Sequence, residues 1–390
     1  MGFTKVLYSS IITAILLLVS TLASPSFSIP SNDQIHAVYA LPESGCIAYD
    51  AATVTITVSC KSPVSLTDIY EQLGGDGNKA LYKDRDNNND GVWLLNAGIT
   101  IDKGAVLDID SKDDVKWLKI MADGTTAYPI YVSGSLKIDS VKVTSWDPQT
   151  NDYAKSNGTR VLVGNRYEVS AGEPRPYITV GNSATGTTNI TNSEIAYLGY
   201  ESGIGGGTSG LRYAGGDGSI IMNNNIHHLY FGFYSNGVGN FLIENNDVHD
   251  NGHYGLDPHT GTHDMIIRNN TVHDNGSIGI ICSLDCYNIT IENNKIYNNV
   301  KRGIMFSRNM SDSVARNNVI SNEEQAISIS ESHNNEIYNN TISNSVSGID
   351  LDEESFSNRV HDNTVIVVDP QSQFSSDTLV VEKGTEKIIQ

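Results

Sequence analysis

Basic residues are scarce in this chain. Its 390 residues include 25 lysines and arginines against 45 aspartates and glutamates, and the formal net charge at pH 7 is −20. Nucleic-acid-binding proteins usually present basic stripes, so this balance argues against a nucleic-acid partner. The same charge disfavours binding of an acidic polymer unless positive side chains are concentrated locally.

Long apolar runs are absent after the N-terminus. Near the N-terminus, Lys5 precedes a long apolar stretch, and small residues follow this stretch up to Ser28. This is the layout of a secretory signal peptide. A retained membrane anchor is the alternative, because the stretch approaches the length of a membrane span. We predict a signal peptide over residues 1–28, no stable membrane insertion after its cleavage, and a mature protein that is secreted, periplasmic or on the cell surface.

Cysteine is rare as well, with Cys46, Cys60, Cys282 and Cys286 as the full set. An even number of cysteines in an exported chain favours disulfides. Proximity in the sequence predicts the pairs Cys46–Cys60 and Cys282–Cys286. Zinc is disfavoured, because the two pairs lie far apart and neither has CxxC spacing. We therefore predict no metal site from the cysteines.

One segment, DRDNNNDG from Asp84 to Gly91, has alternating oxygen-bearing residues before a glycine. That arrangement is typical of calcium loops, but the glutamate that an EF-hand places after the glycine is missing. A solvated turn is the favoured interpretation. The sequence thus indicates no required cofactor and leaves calcium open as a ligand.

An internal repeat is the strongest feature of the sequence. Five segments share short alternating strands around an Asn-Asn pair: FLIENNDVHDNGHYGL, MIIRNNTVHDNGSIGI, ITIENNKIYNNVKRGI, SVARNNVISNEEQAI and NEIYNNTISNSVSGI. The second asparagines are Asn246, Asn270, Asn294, Asn318 and Asn340, so the steps are 24, 24, 24 and 22 residues. This period predicts an all-β fold, a right-handed parallel β-helix in which stacked rungs share one core and aligned asparagines hydrogen-bond along the stack.

The ends of such a solenoid need caps. The segment SLTDIYEQLG predicts a short N-terminal cap helix with Ser65 as N-cap, Asp68 at the third helical position and Gly74 at its end. Ile69 and Leu73 would share one face of this helix and cover the open core. The predicted organisation is a signal peptide (1–28), an N-terminal segment and cap (29–90), the β-helix (91–368) and a C-terminal cap or tail (369–390).

The segment HYGLDPHTGTHD is unusual for a strand, because proline removes a ladder hydrogen bond. Asp257 and His259 are two residues apart and so share one face of a strand. A carboxylate beside an imidazole raises its basicity and fixes its tautomer, which makes the pair a candidate general base. Tyr254 joins the same face only if the chain bends at Gly255 and Pro258. The alternative is a surface histidine beside a turn proline.

The hexapeptide YGLDPH on a parallel β-helix resembles the mannuronan 5-epimerases that modify alginate, particularly the periplasmic type. The resemblance extends, in the same order, to GVWLLNAGITIDKGAVLDI, VKVTSWD, RPYI, SEIAYLGYESG and LYFGFYSN. It therefore covers about Gly91 to Arg308.

This resemblance implies a reaction on an acidic polysaccharide that is like polymannuronate. Carbon 5 of a β-D-mannuronate residue loses its proton and regains one on the opposite face, which gives α-L-guluronate within the polymer. Carried over by position, His259 is the base and Tyr254 donates or orients the returning proton. Asp257 orients His259 or shares a proton with the substrate carboxylate, which also needs a cation as it becomes enolate-like.

Two positions depart from the family pattern. Thr260 stands where an acidic residue is usual, and Leu284 takes the place of an arginine. One rung later, RGIMFSRNMSDS resembles the arginine-bearing stretch and supplies Arg308. An arginine side chain can bridge the roughly 4.8 Å between neighbouring strands. Lys301 and Arg302 are the alternative cations for the substrate carboxylate.

The rung before the motif, NNNIHHLYFGFYSN, offers His228 and Tyr234 as residues that line a sugar-binding groove. Strand alternation would turn half of the side chains in this rung inward. The resulting hypothesis is a mannuronan 5-epimerase. The alternatives are a polysaccharide lyase that acts by β-elimination and a non-catalytic glycan-binding surface β-helix.

Overall fold

The computed structural model describes residues 45–84, 90–163, 166–203, 206–366, 378–379 and 386–389. The predicted signal peptide, most of the predicted calcium loop and most of the predicted C-terminal cap or tail lie outside these residues. Within them, no helix is long and apolar enough to span a membrane.

The first third of the described chain contains the cap helix α1 (Leu66–Gln72) and thirteen strands. The strands are β1 (Ile47–Asp50), β2 (Thr55–Val58), β3 (Val64–Ser65), β4 (Leu81–Lys83), β5 (Val92–Leu95), β6 (Gly98–Ile101), β7 (Val106–Asp110), β8 (Trp117–Met121), β9 (Ile130–Val132), β10 (Ser135–Asp139), β11 (Lys142–Trp146), β12 (Thr159–Val163) and β13 (Arg166–Ser170). Two short 3-10 helices follow α1 and β7, at Gly75–Gly77 and Ser111–Asp113.

The remaining strands recur with the sequence repeat. The middle strands are β14 (Ile178–Val180), β15 (Thr188–Thr191), β16 (Glu194–Ala196), β17 (Gly210–Tyr213), β18 (Ile220–Met222), β19 (Asn225–His227), β20 (Phe231–Asn236), β21 (Phe241–Glu244), β22 (Asp247–His249), β23 (Leu256–His259), β24 (His263–Arg268), β25 (Thr271–His273) and β26 (Ile278–Ser283). The last strands are β27 (Tyr287–Glu292), β28 (Lys295–Tyr297), β29 (Arg302–Ser307), β30 (Val314–Arg316), β31 (Val319–Ser321), β32 (Gln325–Ser330), β33 (Glu336–Tyr338), β34 (Thr341–Ser343), β35 (Ser347–Leu351), β36 (Asn358–His361), β37 (Thr364–Ile366), β38 (Thr378–Leu379) and β39 (Glu386–Ile389).

Three long sheets run along the molecule, and the chain visits them in turn. The first sheet has the order β1-β2-β6-β9-β14-β17-β20-β23-β26-β29-β32-β35-β38, and the second has the order β3-β7-β10-β15-β18-β21-β24-β27-β30-β33-β36-β39. The third runs β4-β5-β8-β11-β16-β19-β22-β25-β28-β31-β34-β37. Each coil pairs in parallel with the next, so the predicted parallel β-helix is confirmed.

Antiparallel strands lie at both ends of the stack. At one end β1 pairs antiparallel with β2, and β4 pairs antiparallel with β5. At the other end β38 pairs antiparallel with β35, and β39 with β36. Such strands occupy edges that would otherwise template pairing with another chain. Parallel pairing with the stack already begins at β2 and β3, before Gly91.

The core consists of inward side chains that repeat one above another. On the second sheet Ile243, Ile267, Ile291, Ala315 and Ile337 are in register on successive strands and have no exposed surface. Each buried isoleucine contributes about 1.5–3 kcal/mol, but only because the next coil covers it. The stack therefore stabilises itself through neighbouring coils, as in other solenoids.

The two asparagines of each pair have different structural roles. The first of each pair, such as Asn245, Asn269 and Asn293, has a left-handed backbone with φ near 55° and turns the corner between the second and third sheets. The second asparagine is buried and donates from Nδ2 to Oδ1 of its equivalent one coil later. This ladder continues from Asn224 to Asn363 with N···O distances of 2.9–3.0 Å. The sequence pair thus reflects one strained turn residue and one hydrogen-bonded core residue.

The cap helix forms as the sequence predicts. Ser65 and Asp68 make a reciprocal capping box, in which the Ser65 side chain accepts from the Asp68 backbone and the Asp68 side chain accepts from the Ser65 backbone. Gly74 follows the helix with φ of 96°, a left-handed conformation that favours glycine. Ile69 is fully buried in the core, and Leu73 packs against it. The helix therefore covers the open end of the stack.

The two cysteine predictions have different outcomes. Cys46 and Cys60 form a disulfide, as predicted. The predicted Cys282–Cys286 bridge is wrong, because both residues are free and buried thiols. Cys282 points into the core from β26, whereas Cys286 follows a turn with left-handed φ at Leu284 and Asp285, and its thiol donates to the Ser283 carbonyl at 3.1 Å.

We expect Asn294→Ala to lower the free energy of unfolding by roughly 3 kcal/mol, since it strips partners from several buried polar groups that cost about 1–3 kcal/mol each when unpaired. Asn294 bonds to Asn270, Asn318 and the Ile267 carbonyl. The exposed Asn182 is the matched control, and Asn182→Ala should change stability by at most about 0.5 kcal/mol. Urea unfolding followed by circular dichroism measures both, and equal stability of the two variants would contradict a ladder role.

The cysteine assignment predicts two thiols per chain that react with Ellman's reagent only after unfolding. Burial blocks access to both sulfur atoms and raises the pKa of the Cys286 thiol to about 12, so little thiolate forms in the native state. Thiol counting with and without denaturant, in the absence of reductant, measures this. Fewer than two reactive thiols in the unfolded chain would restore the bridge.

Candidate active site

The sequence-predicted site lies on the outer face of the first sheet. β20, β23, β26 and β29 are neighbours there. The register aligns Tyr234 with Asp257 and His259 with Ser283. Asp257 and His259 share the outer face of β23, as their spacing predicts, and both line the same cavity.

We call this cavity the catalytic cavity, after the predicted catalytic residues that line it. It has a volume of about 180 Å³ and brings together most of the predicted residues. It is lined by Arg160, Gly206, Phe231, Tyr234, His253, Tyr254, Asp257, His259, Ile281 and Arg308. A second cavity of about 530 Å³ adjoins it and shares Arg160, Tyr254 and Arg308. Lys301 and Arg302 line this second cavity but not the one that contains His259, so they lie farther from the imidazole than Arg308 does.

His259 is held as a neutral imidazole. Arg308 Nη2 lies 3.3 Å from its Nε2, and Thr260 Oγ1 lies 2.6 Å from its Nδ1. A guanidinium can only donate, so Nε2 accepts and Nδ1 carries the proton toward Thr260. Burial, followed by the positive charge of Arg308, lowers the pKa of His259 to about 4. Thr260 thus orients the ring without supplying the negative charge that an acidic residue would bring.

Burial favours the neutral carboxylic acid form of Asp257. Its side chain is 2% exposed, and Oδ1 has no hydrogen-bond partner among the described residues. Burial raises the pKa of Asp257 well above its usual range, and the nearby Arg308 charge offsets only part of that rise. Asp257 does not hydrogen-bond to His259 within the described structure. Of its two predicted roles, sharing a proton with a substrate carboxylate is therefore better supported than orienting His259.

Arg308 reaches the site from one coil beyond the predicted arginine position. Its guanidinium donates to Ser283 Oγ, at 2.9 Å from Nε and 2.5 Å from Nη2, as well as contacting His259. A left-handed backbone at Arg308, with φ of 55°, ends β29. Leu284, in the expected place, lies in a turn and does not line the catalytic cavity. Arg308 therefore brings a guanidinium to the cavity although Leu284 occupies the expected arginine position.

Tyr254 reaches the same cavity because the chain bends just before β23. The bend depends on Gly255, where a Cβ atom would lie 2.6 Å from the Gly279 carbonyl oxygen of the next coil. Tyr254 stacks on His253 with ring centroids 4.0 Å apart and packs against an aromatic cluster that includes Phe231 and Tyr234. The predicted bend thus joins Tyr254 to Asp257 and His259.

The prediction that His228 lines the groove is wrong. His228 sits at the corner between the third and first sheets, with φ of 56° and its ring stacked on Tyr197 at 4.7 Å. The left-handed turn directs the side chain into a different cavity, which none of Tyr254, Asp257 and His259 lines. Tyr234, the other residue predicted from that rung, does line the catalytic cavity.

Sequence reasoning missed Arg160. It lies on the β12–β13 hairpin, inserted between a strand of the third sheet and a strand of the first. Arg160 makes a bidentate pair with buried Glu201, at 2.7 and 3.0 Å, and the Tyr230 hydroxyl donates to the same carboxylate. Burial of Glu201 raises its pKa, but hydrogen bonds from Arg160 and Tyr230 outweigh that effect and lower it. This network anchors the hairpin beside the catalytic cavity.

Comparison with known proteins supports both the fold and the resemblance. A family model described as periplasmic copper-binding protein (NosD) matches residues 176–376, just over half of the chain. A mannuronan C5-epimerase of Pseudomonas fluorescens is 27% identical over 184 residues, which cover 45% of this chain and 31% of that protein. One from Pseudomonas putida is 28% identical over 183 residues, which cover 44% of this chain and 32% of that protein. The matched stretch thus spans about a third of these relatives.

The fold recurs in a solved structure. The crystal structure of the periplasmic alginate epimerase AlgG superposes with a TM-score of 0.60 and 22% identity, and covers 83% of this chain and 75% of that one. The predicted resemblance to mannuronan epimerases is confirmed by these relatives.

The family description names copper, which prefers histidine, cysteine and methionine ligands. In the part of the chain that the structure describes, no group of three or more His, Cys, Asp or Glu side chains is arranged to hold a metal ion. The thiols of Cys282 and Cys286 are buried, and burial raises the pKa of both, which disfavours the thiolate that a metal binds. The described residues therefore do not fit a copper site.

The electrostatics of His259 can be tested by nuclear magnetic resonance of labelled histidine. We expect its imidazole to stay neutral down to about pH 4. Arg308→Gln should raise its pKa, because the nearby positive charge that disfavours the imidazolium is removed, while burial should keep the pKa below 6.5. His259→Gln assigns the resonance by its disappearance. Titration of wild-type His259 at or above pH 6.5 would contradict this account.

Proposed function

We propose that this chain, which belongs to the NosD family, is a polymer-level epimerase that inverts carbon 5 of β-D-mannuronate in alginate or a similar acidic polysaccharide. The observation that carries the proposal is the convergence of His259, Asp257 and the cationic Arg308 on one cavity of the outer sheet face, where burial favours the neutral forms of the imidazole and the carboxyl group.

His259 is the proposed base. Only a neutral imidazole can accept the carbon 5 proton, and the lowered pKa keeps it neutral at physiological pH. Its Nε2 lone pair faces the cavity side where Arg308 now donates. When a substrate carboxylate attracts Arg308, Nε2 becomes free for the proton. Binding of the substrate and exposure of the base are thereby linked.

Arg308 and Asp257 are the proposed partners of the sugar carboxylate. Loss of the carbon 5 proton moves negative charge onto that carboxylate, so groups that bind it more tightly in the transition state accelerate the reaction. Arg308 supplies positive charge. Asp257, as a neutral acid, donates a hydrogen bond without adding negative charge next to the anion.

Tyr254 is the proposed source or guide of the returning proton. Its ring is fixed by His253 and the aromatic cluster, and it lines the same cavity as His259. Proton removal and return leave the oxidation state unchanged, so no cofactor is proposed.

The groove around the site suits an acidic polymer. Lys301, Arg302 and Arg308 line the larger cavity, so positive charge is concentrated locally in a chain of net charge −20. From β20 to β35 the outer face runs about 25 Å at about 4.8 Å per strand, long enough for several sugar residues. The Cys46–Cys60 disulfide and the periplasmic description of the family agree with a location outside the cytoplasm.

The alternative reaction is elimination by a lyase, which shares proton abstraction at carbon 5. It differs in that the proton goes to the leaving oxygen of the neighbouring sugar. The similarity to mannuronan C5-epimerases favours epimerisation. A non-catalytic binding role is disfavoured, because binding alone does not require a buried neutral carboxylic acid beside a neutral histidine.

We expect His259→Ala to reduce turnover of polymannuronate by about 10²–10⁴-fold, the usual contribution of a positioned base. Binding should change much less. Turnover is measured by proton nuclear magnetic resonance in deuterated water, where an epimerase places deuterium at carbon 5 of new guluronate. A lyase would instead produce an unsaturated end that absorbs in the near ultraviolet.

His263→Ala is the matched control. His263 lies four residues away on β24, contacts the Val238 carbonyl and Tyr287, and does not line the catalytic cavity. It should retain wild-type turnover. Equal turnover of wild type and His259→Ala would mean that YGLDPH is not the active site.

A further inference from the structure

A separate cavity of about 370 Å³ lies at the corner between the third and first sheets, beside the inserted segment that carries the β12–β13 hairpin. Its volume is within the range of small-molecule sites. It is lined by Lys155, Ser156, Asn157, Gly158, Arg175, Tyr197, Tyr200, Glu201, His228, Leu229, Tyr230, Asp250 and Gly252. Neither Asp257 nor His259 is among them, so this corner cavity is distinct from the catalytic cavity.

Arg175 is the unusual residue of the corner cavity. Its side chain is 7% exposed and donates from Nε to the Gly199 carbonyl at 2.6 Å and from Nη2 to the Leu198 carbonyl at 3.3 Å. Within the described residues no carboxylate pairs with it, and Nη1 makes no hydrogen bond. Arginines of the second sheet differ, since Arg268 and Arg316 each pair with a glutamate one coil away. Arg175 is therefore a fixed, buried cation without an anion.

The other charges around the corner cavity do not neutralise Arg175. Glu201 is paired with Arg160, and Asp250 bonds to His249 Nδ1 at 2.7 Å. Exposed Lys155 adds a second positive charge at the rim. Ser156 Oγ is buried and has no partner in the described structure. The wall thus offers an unpaired cation and an unpaired hydroxyl to the same space.

We propose that the corner cavity binds a uronic acid residue, with Arg175 on its carboxylate and the polar wall on its hydroxyl groups. The choice of a uronate among hydroxylated carboxylates rests on the proposed function. A guanidinium matches a carboxylate in a planar, charge-assisted geometry. Tethering two of its nitrogens to backbone carbonyls holds Arg175 in place before the ligand arrives, which lowers the entropic cost of binding. The site would hold acidic sugar away from the catalytic groove.

The test is calorimetric titration of the full chain with sodium D-mannuronate, with D-glucose and sodium acetate as comparison ligands. D-mannuronate should bind, and D-glucose and acetate should bind at least tenfold more weakly. Arg175→Met should weaken D-mannuronate binding at least tenfold. Circular dichroism checks the fold of each variant.

Lys155→Glu provides a second variant, because Lys155 is exposed and Arg175→Met removes two hydrogen bonds to the backbone. Reversal of the rim charge should weaken D-mannuronate binding about fivefold, as an unfavourable interaction near 1 kcal/mol. Lys103→Glu makes the same charge change at an exposed turn outside the corner cavity and should have no effect.

Two outcomes would overturn the proposal: no binding of D-mannuronate by the wild type, or binding that survives both Arg175→Met and Lys155→Glu. Acetate that binds as tightly as D-mannuronate would overturn the sugar assignment. The corner-cavity proposal and the proposed function can also be refuted independently of each other. Binding that depends on Arg175 in a chain that does not epimerise polymannuronate would support the corner site and refute the proposed function.

Discussion

In-register stacking of coils is the constraint on which the rest of the structure depends. Each coil places equivalent side chains about 4.8 Å above those of the previous one, so a hydrogen bond or an apolar contact made once is repeated along the molecule. The buried asparagine ladder from Asn224 to Asn363 fixes this register at the corner between the second and third sheets. A slip of one residue would turn the isoleucine columns outward and orphan every amide in the ladder. The register that stabilises the core also aligns Tyr234, Asp257 and Ile281 on its outer face.

The same stacking resolves the conflict between an acidic chain and an acidic ligand. A net charge of −20 would repel a polyuronate, yet the single coil of β29 brings Lys301, Arg302 and Arg308 to one cavity, beside Arg160 of the inserted hairpin, whose charge Glu201 neutralises. Positive charge is thus local, while acidic side chains elsewhere pair with arginines across coils, as Glu244 does with Arg268. Burial has the complementary effect on the titratable groups nearby, since it raises the pKa of Asp257 and lowers that of His259 and so favours the uncharged form of both.

Features that depend on local or periodic sequence patterns could be predicted from the sequence. Features that depend on contacts between residues far apart in the sequence could not. The capping box of Ser65 and Asp68 and the repeated asparagines are local or periodic signals, and both are present as expected. The two-residue spacing of Asp257 and His259 correctly predicted that both side chains lie on one face of a strand. The failures occur at corners: His228 turns away through a left-handed φ, and Cys286 follows a left-handed turn that separates it from Cys282. The role of Arg160 could not be predicted, because its partner Glu201 is 41 residues away and the sequence repeat does not relate the two positions.

The charge state of the site before substrate binding matters for the proposed chemistry. Proton transfer from carbon 5 to His259 changes no net charge, but it separates charge by creating an imidazolium and a second negative charge on the sugar. In a cavity shielded from water such charges interact strongly, so the separation is favourable only if the new anion is already matched. Arg308 provides that match, because its guanidinium, hydrogen-bonded to Ser283, already lies at the cavity before the substrate arrives. An ionised Asp257 would oppose it, whereas a protonated Asp257 supports it by donating a hydrogen bond. In the proposed reaction, the burial that leaves Asp257 Oδ1 without a hydrogen-bond partner among the described residues also favours the protonated form, which can donate to the anion that forms on the sugar.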